Sequence, residues 1–203
     1  MKELWVEKYR PKTADEYVFR DDEQRAQIQQ WIKEKSIPHI LLSGSPGVGK
    51  TTLAKMLINE LNIGGHDVME LNASRERGID VIRNRVTNFA GTIPFGDFKI
   101  VLLDEADYMT PDAQAVMRGV MEEFSDNCRF IMTCNYPNKI LPALHSRSQS
   151  IHIPKLIKND FLARVAEILV TEGVDLDADT LDSYVAASYP DLRKCLNSVQ
   201  QNS

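Results

Sequence analysis

The sequence predicts an α/β fold: a parallel five-stranded sheet flanked by helices, followed by a small all-helical domain. Three observations predict it. Between about residues 37 and 153, short aliphatic runs alternate with longer amphipathic stretches, the rhythm of parallel strands covered by helices. The runs are apolar at consecutive positions, as Ile100, Val101, Leu102 and Leu103 are, which suits strands buried on both faces. After Pro154 the runs stop and only helical spacing remains.

Strands are expected at residues 37–43, 68–72, 99–104, 129–133 and 150–153, each followed by a polar or glycine-containing stretch. Between them, residues 50–61, 79–90 and 111–124 and a short piece near Leu141 carry apolar residues three and four apart, as helices with one buried face do. Residues 159–172, 177–188 and 191–201 continue that spacing with no strand between them. The expected division is an α/β domain over residues 1–154 and a helical domain over 155–203. Repeats and low-complexity segments are absent.

Composition removes several classes of function. With 203 residues, 43% hydrophobic and 26% charged, the chain has the make-up of a packed globule. The net charge of −5 speaks against a surface coated in nucleic acid, so any such contact must be local. The longest aliphatic run is far shorter than the roughly 20 apolar residues that cross a bilayer. The first twelve residues alternate charge with aromatics and lack the apolar core of a secretion signal. The chain is therefore expected in the cytoplasm (in the nucleoid or the host cytoplasm for a phage protein) with no membrane contact. Cys128, Cys134 and Cys195 show no metal-ligand spacing, and the four histidines are scattered, so packing is the expected use of both.

The chemistry begins at Gly44-Ser45-Pro46-Gly47-Val48-Gly49-Lys50-Thr51, a glycine-rich loop placed after one expected strand and opening a helix. In that setting backbone N–H groups curl around phosphate, the lysine reaches the outer phosphates and the Thr51 hydroxyl can ligate Mg²⁺. The strand at 99–104 ends in Asp104 and Glu105. Asp104 can hold the metal through water, and Glu105 can orient and deprotonate an attacking water. The strand at 129–133 leads to Asn135, whose amide can bond a γ-phosphate or that water; it is equally a common turn residue. Arg147 lies between two serines and reads as a surface arginine or a phosphate clamp. Arg193 opens the last expected helix and reaches a nucleotide only if the helical domain folds back over it.

Taken in order, the loop, the Asp104-Glu105-Ala106-Asp107 strand end, Asn135, Ser146-Arg147-Ser148 and Pro190-Asp191-Leu192-Arg193 resemble the AAA+ ATPases. Trp5-Val6-Glu7-Lys8-Tyr9-Arg10-Pro11, Ile37-Pro38-His39, the stretch from Asn72 to Asp80 and Cys134-Asn135-Tyr136 narrow the resemblance to small subunits of sliding-clamp loaders of the replication factor C type, as in archaea, eukaryotes and tailed phages. It covers essentially the whole chain.

The resemblance implies a function: ATP binding drives clamp opening and primer-template DNA binding, and hydrolysis releases the loaded clamp during replication. Its cofactors would be ATP or ADP with Mg²⁺. Val6, Tyr9, Arg10, Pro11 and Val18 would wrap the adenine, and Gly44, Ser45, Pro46, Gly47, Val48, Gly49, Lys50, Thr51 and Thr52 the phosphates. Thr51 and Asp104 would serve the metal. Glu105 would be the catalytic base, Asn135 a first sensor and Arg193 a second sensor in a helical lid. Arg147 matches an arginine finger that points into a neighbouring subunit's site, so hydrolysis by one chain alone would be weak. The implied partners are other loader subunits, a pentamer in the full-length family, together with the sliding clamp and primer-template DNA. Family members continue into a helical collar, which this chain lacks, so it is expected to be monomeric or weakly associating.

Three departures stand out: Ser148 where the family has cysteine, Pro190 where it has glycine, and Arg75 where an acid is common. The segment 74–85 holds Arg75, Arg77, Arg83 and Arg85 against Glu76 and Asp80. Its charge alone fits a solvated helix face or a phosphate-tracking surface. The resemblance favours DNA for Arg77 and Arg83, while Arg118 could equally serve an intersubunit contact. Competing readings are a DEAD-box helicase, excluded because about 50 residues after Pro154 cannot form its second domain, and a small-molecule kinase, whose loop lies nearer the N-terminus. Another AAA+ DNA-remodelling ATPase, or a nucleotide-binding scaffold with little hydrolysis, remain as alternatives.

Overall fold

The computed structural model describes residues 3–202. Its sheet has five strands, β1 (Ile40–Ser43), β2 (Val68–Asn72), β3 (Lys99–Asp104), β4 (Cys128–Cys134) and β5 (Gln149–His152), in the order β2-β3-β4-β1-β5 with every pairing parallel. β1 starts three residues later than expected. Pro38 has no N–H to give to a ladder, and the Ile37 carbonyl instead accepts from Arg129 Nε at 2.8 Å.

Alternation along each strand divides the core in two. Leu41, Val101, Leu103, Phe130 and Met132 face one way, into a cluster with Met117 and Val120. Ile40, Leu42, Ile100, Leu102 and Ile131 face the other, against Ile28, Leu53 and Leu57. Successive side chains of a strand point to opposite faces, so a run apolar at every position needs helices on both sides. Helices α3 (Lys50–Glu60) and α5 (Pro111–Glu123) lie close to the expected ranges. Thr110 caps α5 by accepting from Ala113 N, and Pro111 occupies its first turn, where a missing N–H costs nothing.

The helix expected at 79–90 is not a regular one. Residues Val81–Val86 form wider π turns before α4 (Thr87–Gly91). Thr87 Oγ1 donates to the Ile82 carbonyl, five residues back, and Ile82 and Val86 still turn into the core. The helix α2 (Asp22–Glu34) was not anticipated, although its signals are local. Asp21 accepts from Gln24 N at 2.8 Å as the N-cap, Lys35 closes the helix in a left-handed conformation, and Ile28 and Trp31 are buried. The short helix α6 (Pro142–His145) falls near Leu141.

Helices α7 (Lys158–Glu172), α8 (Ala178–Ser188) and α9 (Leu192–Asn202) pack around Phe161, Val165, Ile168, Val185 and Leu196. The first described residues also pack against this helical domain. Trp5, on the single turn α1 (Trp5–Lys8), is buried in the core of these three helices. Its backbone N–H donates to Gln200 Oε1 at 2.9 Å, and Glu172 Oε1 accepts from Lys8 Nζ and Tyr9 Oη, each at 2.6 Å. A large indole finds more apolar area there than on a sheet whose two faces are already covered. Among the described residues no helix is long and apolar enough to cross a membrane.

Candidate nucleotide-binding site

β1 is flanked by β4 on one side and β5 on the other, so the loop that follows it opens into the crevice where the strand order reverses, the habitual ligand position in such sheets. Gly44 begins that loop with φ +155°, and a Cβ there would stand 2.3 Å from the Ile153 carbonyl oxygen. The backbone passes the residue after β5 too closely for any side chain.

Lys50 is almost wholly buried at the start of α3. Its Nζ donates to the carbonyls of Gly44 at 2.9 Å and Ser45 at 2.8 Å and to Asn135 Oδ1 at 2.8 Å. Burial pushes its pKa below the ordinary lysine value, opposed by its neighbours Cys134, Asp104, Asp107 and Glu105. Asp104 Oδ1 accepts from Thr51 Oγ1 at 2.8 Å and from Thr133 Oγ1 at 2.6 Å. Thr133 in turn accepts from Glu105 N at 3.0 Å. Glu105 adopts φ +56°, ψ +43°, a left-handed conformation that costs a non-glycine residue on the order of 1 kcal/mol or more. Asp107 Oδ2 accepts from the backbone N–H groups of Asn135 and Tyr136 at 3.3 and 3.2 Å, which fixes the turn that carries the Asn135 side chain.

Beside this polar centre lies a cavity of about 150 Å³ between the loop and the helical domain. Of the residues expected to bind nucleotide, Val6, Tyr9, Arg10, Pro11, Val18, Gly47, Val48, Gly49, Lys50, Thr51 and Thr52 line it, and so does Arg193. Gly44, Ser45 and Pro46 belong to the loop without lining the cavity. Asn135 and Asp104 bond Lys50 and Thr51 directly, and Glu105 adjoins them through the bond of its backbone N–H to Thr133. Arg147 does not join them: its Nη1 donates to the Ala143 carbonyl at 2.9 Å and its Nη2 pairs with Glu122 of α5. Arg77 and Arg83 are exposed on the segment that follows β2, whose last residue, Asn72, is in register with Asp104.

Several contributors escaped the sequence. Thr133 and Asp107 orient the acids and Asn135, and Tyr17, Leu156, Arg164, Ile168, Leu192 and Leu196 complete the cavity wall. Tyr17 is signalled only by its neighbour Val18. The apolar residues of α7 and α9 obey the spacing of an ordinary core, which hides their second use. The thiols play no part: burial raises Cys128 to about 12 and Cys134 to about 11.

The donors fit Mg²⁺. Thr51 and Asp104 present hard oxygens within hydrogen-bond distance of each other, and among the described residues no group of three or more His, Cys, Asp or Glu could form a metal cage. Mg²⁺ is typically held by one or two protein oxygens plus phosphates and water.

Comparison with known proteins agrees with this geometry. The family model of the ATPase family associated with various cellular activities (AAA) matches residues 40–155. The replication factor C small subunit of Methanococcus vannielii is 43% identical over 98% of this chain and 64% of its own length. That of Thermofilum pendens is 44% identical over 99% of this chain and 63% of its own. The chain thus spans a little under two thirds of the length of these curated relatives. Among solved structures, the Thermotoga maritima RuvB Holliday junction branch migration motor superposes with a TM-score of 0.75 at 15% identity, over 93% of this chain and 63% of that one, a likeness of fold. With the family model spanning all five strands of the sheet and the loop, acids and strand-end asparagine gathered at its edge, the chain belongs to the AAA family of ATPases.

Proposed function

We propose that this chain is an ATP-hydrolysing subunit of a DNA sliding-clamp loader of the replication factor C type, with its nucleotide seated between the phosphate loop and the helical lid. The observation that carries the reading is that Lys50 and Thr51, which line the cavity together with Val6, Val18 and residues of the lid, are bonded directly to Asn135 and Asp104. In this reading Lys50 exchanges its carbonyl partners for phosphate oxygens. Asn135 and Glu105 hold and deprotonate the attacking water, and Arg193 contacts the nucleotide from the lid. Mg²⁺ on Thr51 and Asp104 would neutralise charge on the phosphates.

Arg147 supports an assembly. Its guanidinium is engaged with Glu122 and Ala143, apart from its own chain's cavity, as suits a group given to an adjacent subunit. Loader subunits of the same type, a sliding clamp and primer-template DNA are the partners this reading calls for. Arg77 and Arg83 are exposed with no ion-pair partner among the described residues, free to neutralise DNA phosphates. Ile93 and Phe95, 85% and 87% exposed, project from a loop held rigid by Asp67, which accepts from Phe95 N and Gly96 N at 3.0 and 2.8 Å. Apolar groups so displayed suit a protein partner such as the clamp.

The deciding experiment is ATP turnover by the chain alone and after addition of partner subunits, clamp and primed DNA. The loader reading expects slow basal hydrolysis raised at least tenfold by the additions, with the rise lost in Arg147→Ala. An unchanged rate would leave the scaffold reading.

A further inference from the structure

We propose that Asp191 is a charge-selecting residue of the nucleotide site: the lid sets its carboxylate against the phosphate loop, where it opposes bound phosphate in proportion to the phosphate's charge. The inference rests on the cavity being a nucleotide site, and it adds a residue with a sign opposite to that of the arginine beside it.

The contact is direct. A Cβ built on Gly47 would stand 2.5 Å from Asp191 Oδ1, 2.6 Å from its Cγ and 3.1 Å from its Oδ2, so the carboxylate occupies the space a side chain at Gly47 would need. Gly47 has φ +77°, which already favours glycine; the approach of Asp191 is a second reason why no side chain fits. Two parts of the chain far apart in sequence therefore meet at the loop whose backbone N–H groups are shaped to receive an anion.

Asp191 has a second task, as cap of α9. Its Oδ1 accepts from Lys194 N at 3.1 Å. Capping leaves its charge intact, and no ion pair among the described residues involves it. The Lys194 ammonium, on the turn that Asp191 caps, is turned away to the Ala187 carbonyl at 3.2 Å. A carboxylate without an ion pair thus sits against Gly47 of the phosphate loop, while Arg193, two residues on, lines the cavity that Gly47 also lines.

The consequence is a lid with opposed charges. Arg193 draws it towards a bound nucleotide and Asp191 resists. The resistance grows with each phosphate, because Coulomb repulsion scales with ligand charge. Asp191 accordingly weakens ATP more than ADP, and ADP more than AMP, narrowing the advantage that the loop and Lys50 give to the triphosphate.

Asn caps a helix as well as Asp does, so Asp191→Asn removes the charge and little else. The test measures affinities of AMP, ADP and ATP for the full chain and for Asp191→Asn at low and at moderate salt, with thermal midpoints alongside. The expected result is an unchanged midpoint and tighter binding, by roughly fivefold for ATP at low salt, less for ADP and least for AMP, with the gain shrinking as salt rises. Asp191→Ala should show the same order of gains with a lower midpoint, because the cap is lost. Equal affinities in wild type and Asp191→Asn, or a gain of the same factor for all three nucleotides, would overturn the proposal while leaving the nucleotide site intact. A wild-type chain that binds none of the three would remove the site and this role together.

Discussion

Lys50 Nζ donates to Asn135 Oδ1 at 2.8 Å, tying the phosphate loop after β1 to the turn at the end of β4. The lysine is held over the loop by three neutral oxygens and by no carboxylate, so phosphate can displace its partners without breaking an ion pair. Asn135→Asp would convert one of these contacts into a charge pair and add negative charge where phosphate belongs. ATP affinity is expected to fall at least roughly tenfold. Asn135→Ala, which removes the amide without adding charge, should bind ATP within about threefold of wild type yet hydrolyse it more slowly. Titration with a fluorescent nucleotide, beside single-turnover hydrolysis, measures both.

Glu105 is held in a left-handed conformation by its N–H bond to Thr133, which also donates to Asp104. Glu105→Gln is nearly isosteric and is expected to keep ATP binding while turnover drops on the order of a hundredfold or more. Loss of binding in that variant would show that Glu105 serves the ground state. Thr133→Val strands the Glu105 N–H and should lower stability by about 1–3 kcal/mol, read by denaturant titration.

Arg77→Ala and Arg83→Ala should each weaken binding to primed DNA regardless of sequence. Each should also reduce the dependence of log affinity on log salt by about one. Affinity measured at three salt concentrations checks it, and an unaltered slope would return both arginines to the solvated surface.

His39 supplies a pH dependence. Burial, aided by the Arg129 guanidinium, pushes its ring down to about 4 from 6.5, and Nδ1 accepts from Phe130 N at 3.3 Å, which requires that nitrogen to be unprotonated. The folded value lies below the unfolded one, so the stabilisation is complete above pH 6.5 and is lost as pH falls from there towards 4. With the ring partly exposed, the loss should be about 1–2 kcal/mol. Thermal midpoints at pH 7.5 and 4.5 should converge in His39→Gln.

How much was legible follows from the range of each interaction. The phosphate loop, the β3 strand and its acids are written in consecutive residues, and each lies where the pattern placed it. The cap and spacing of α2 were equally local and were overlooked. The widened turns at Val81–Val86 have no periodic signature, since Ile82 and Val86 remain buried in either geometry.

Local chemistry alone determined the strands, most helices, the glycine turn and the residues able to meet phosphate, because propensity and alternation act over a few neighbours. Tertiary structure decided which of them meet. It carried Trp5 to Gln200, 195 residues away, joined Thr133 to Asp104 across 29 residues, set Asp191 on Gly47 and kept Arg147 with Glu122. Such contacts arise when apolar faces compete for a limited core, and whichever packing buries most area brings distant polar groups together.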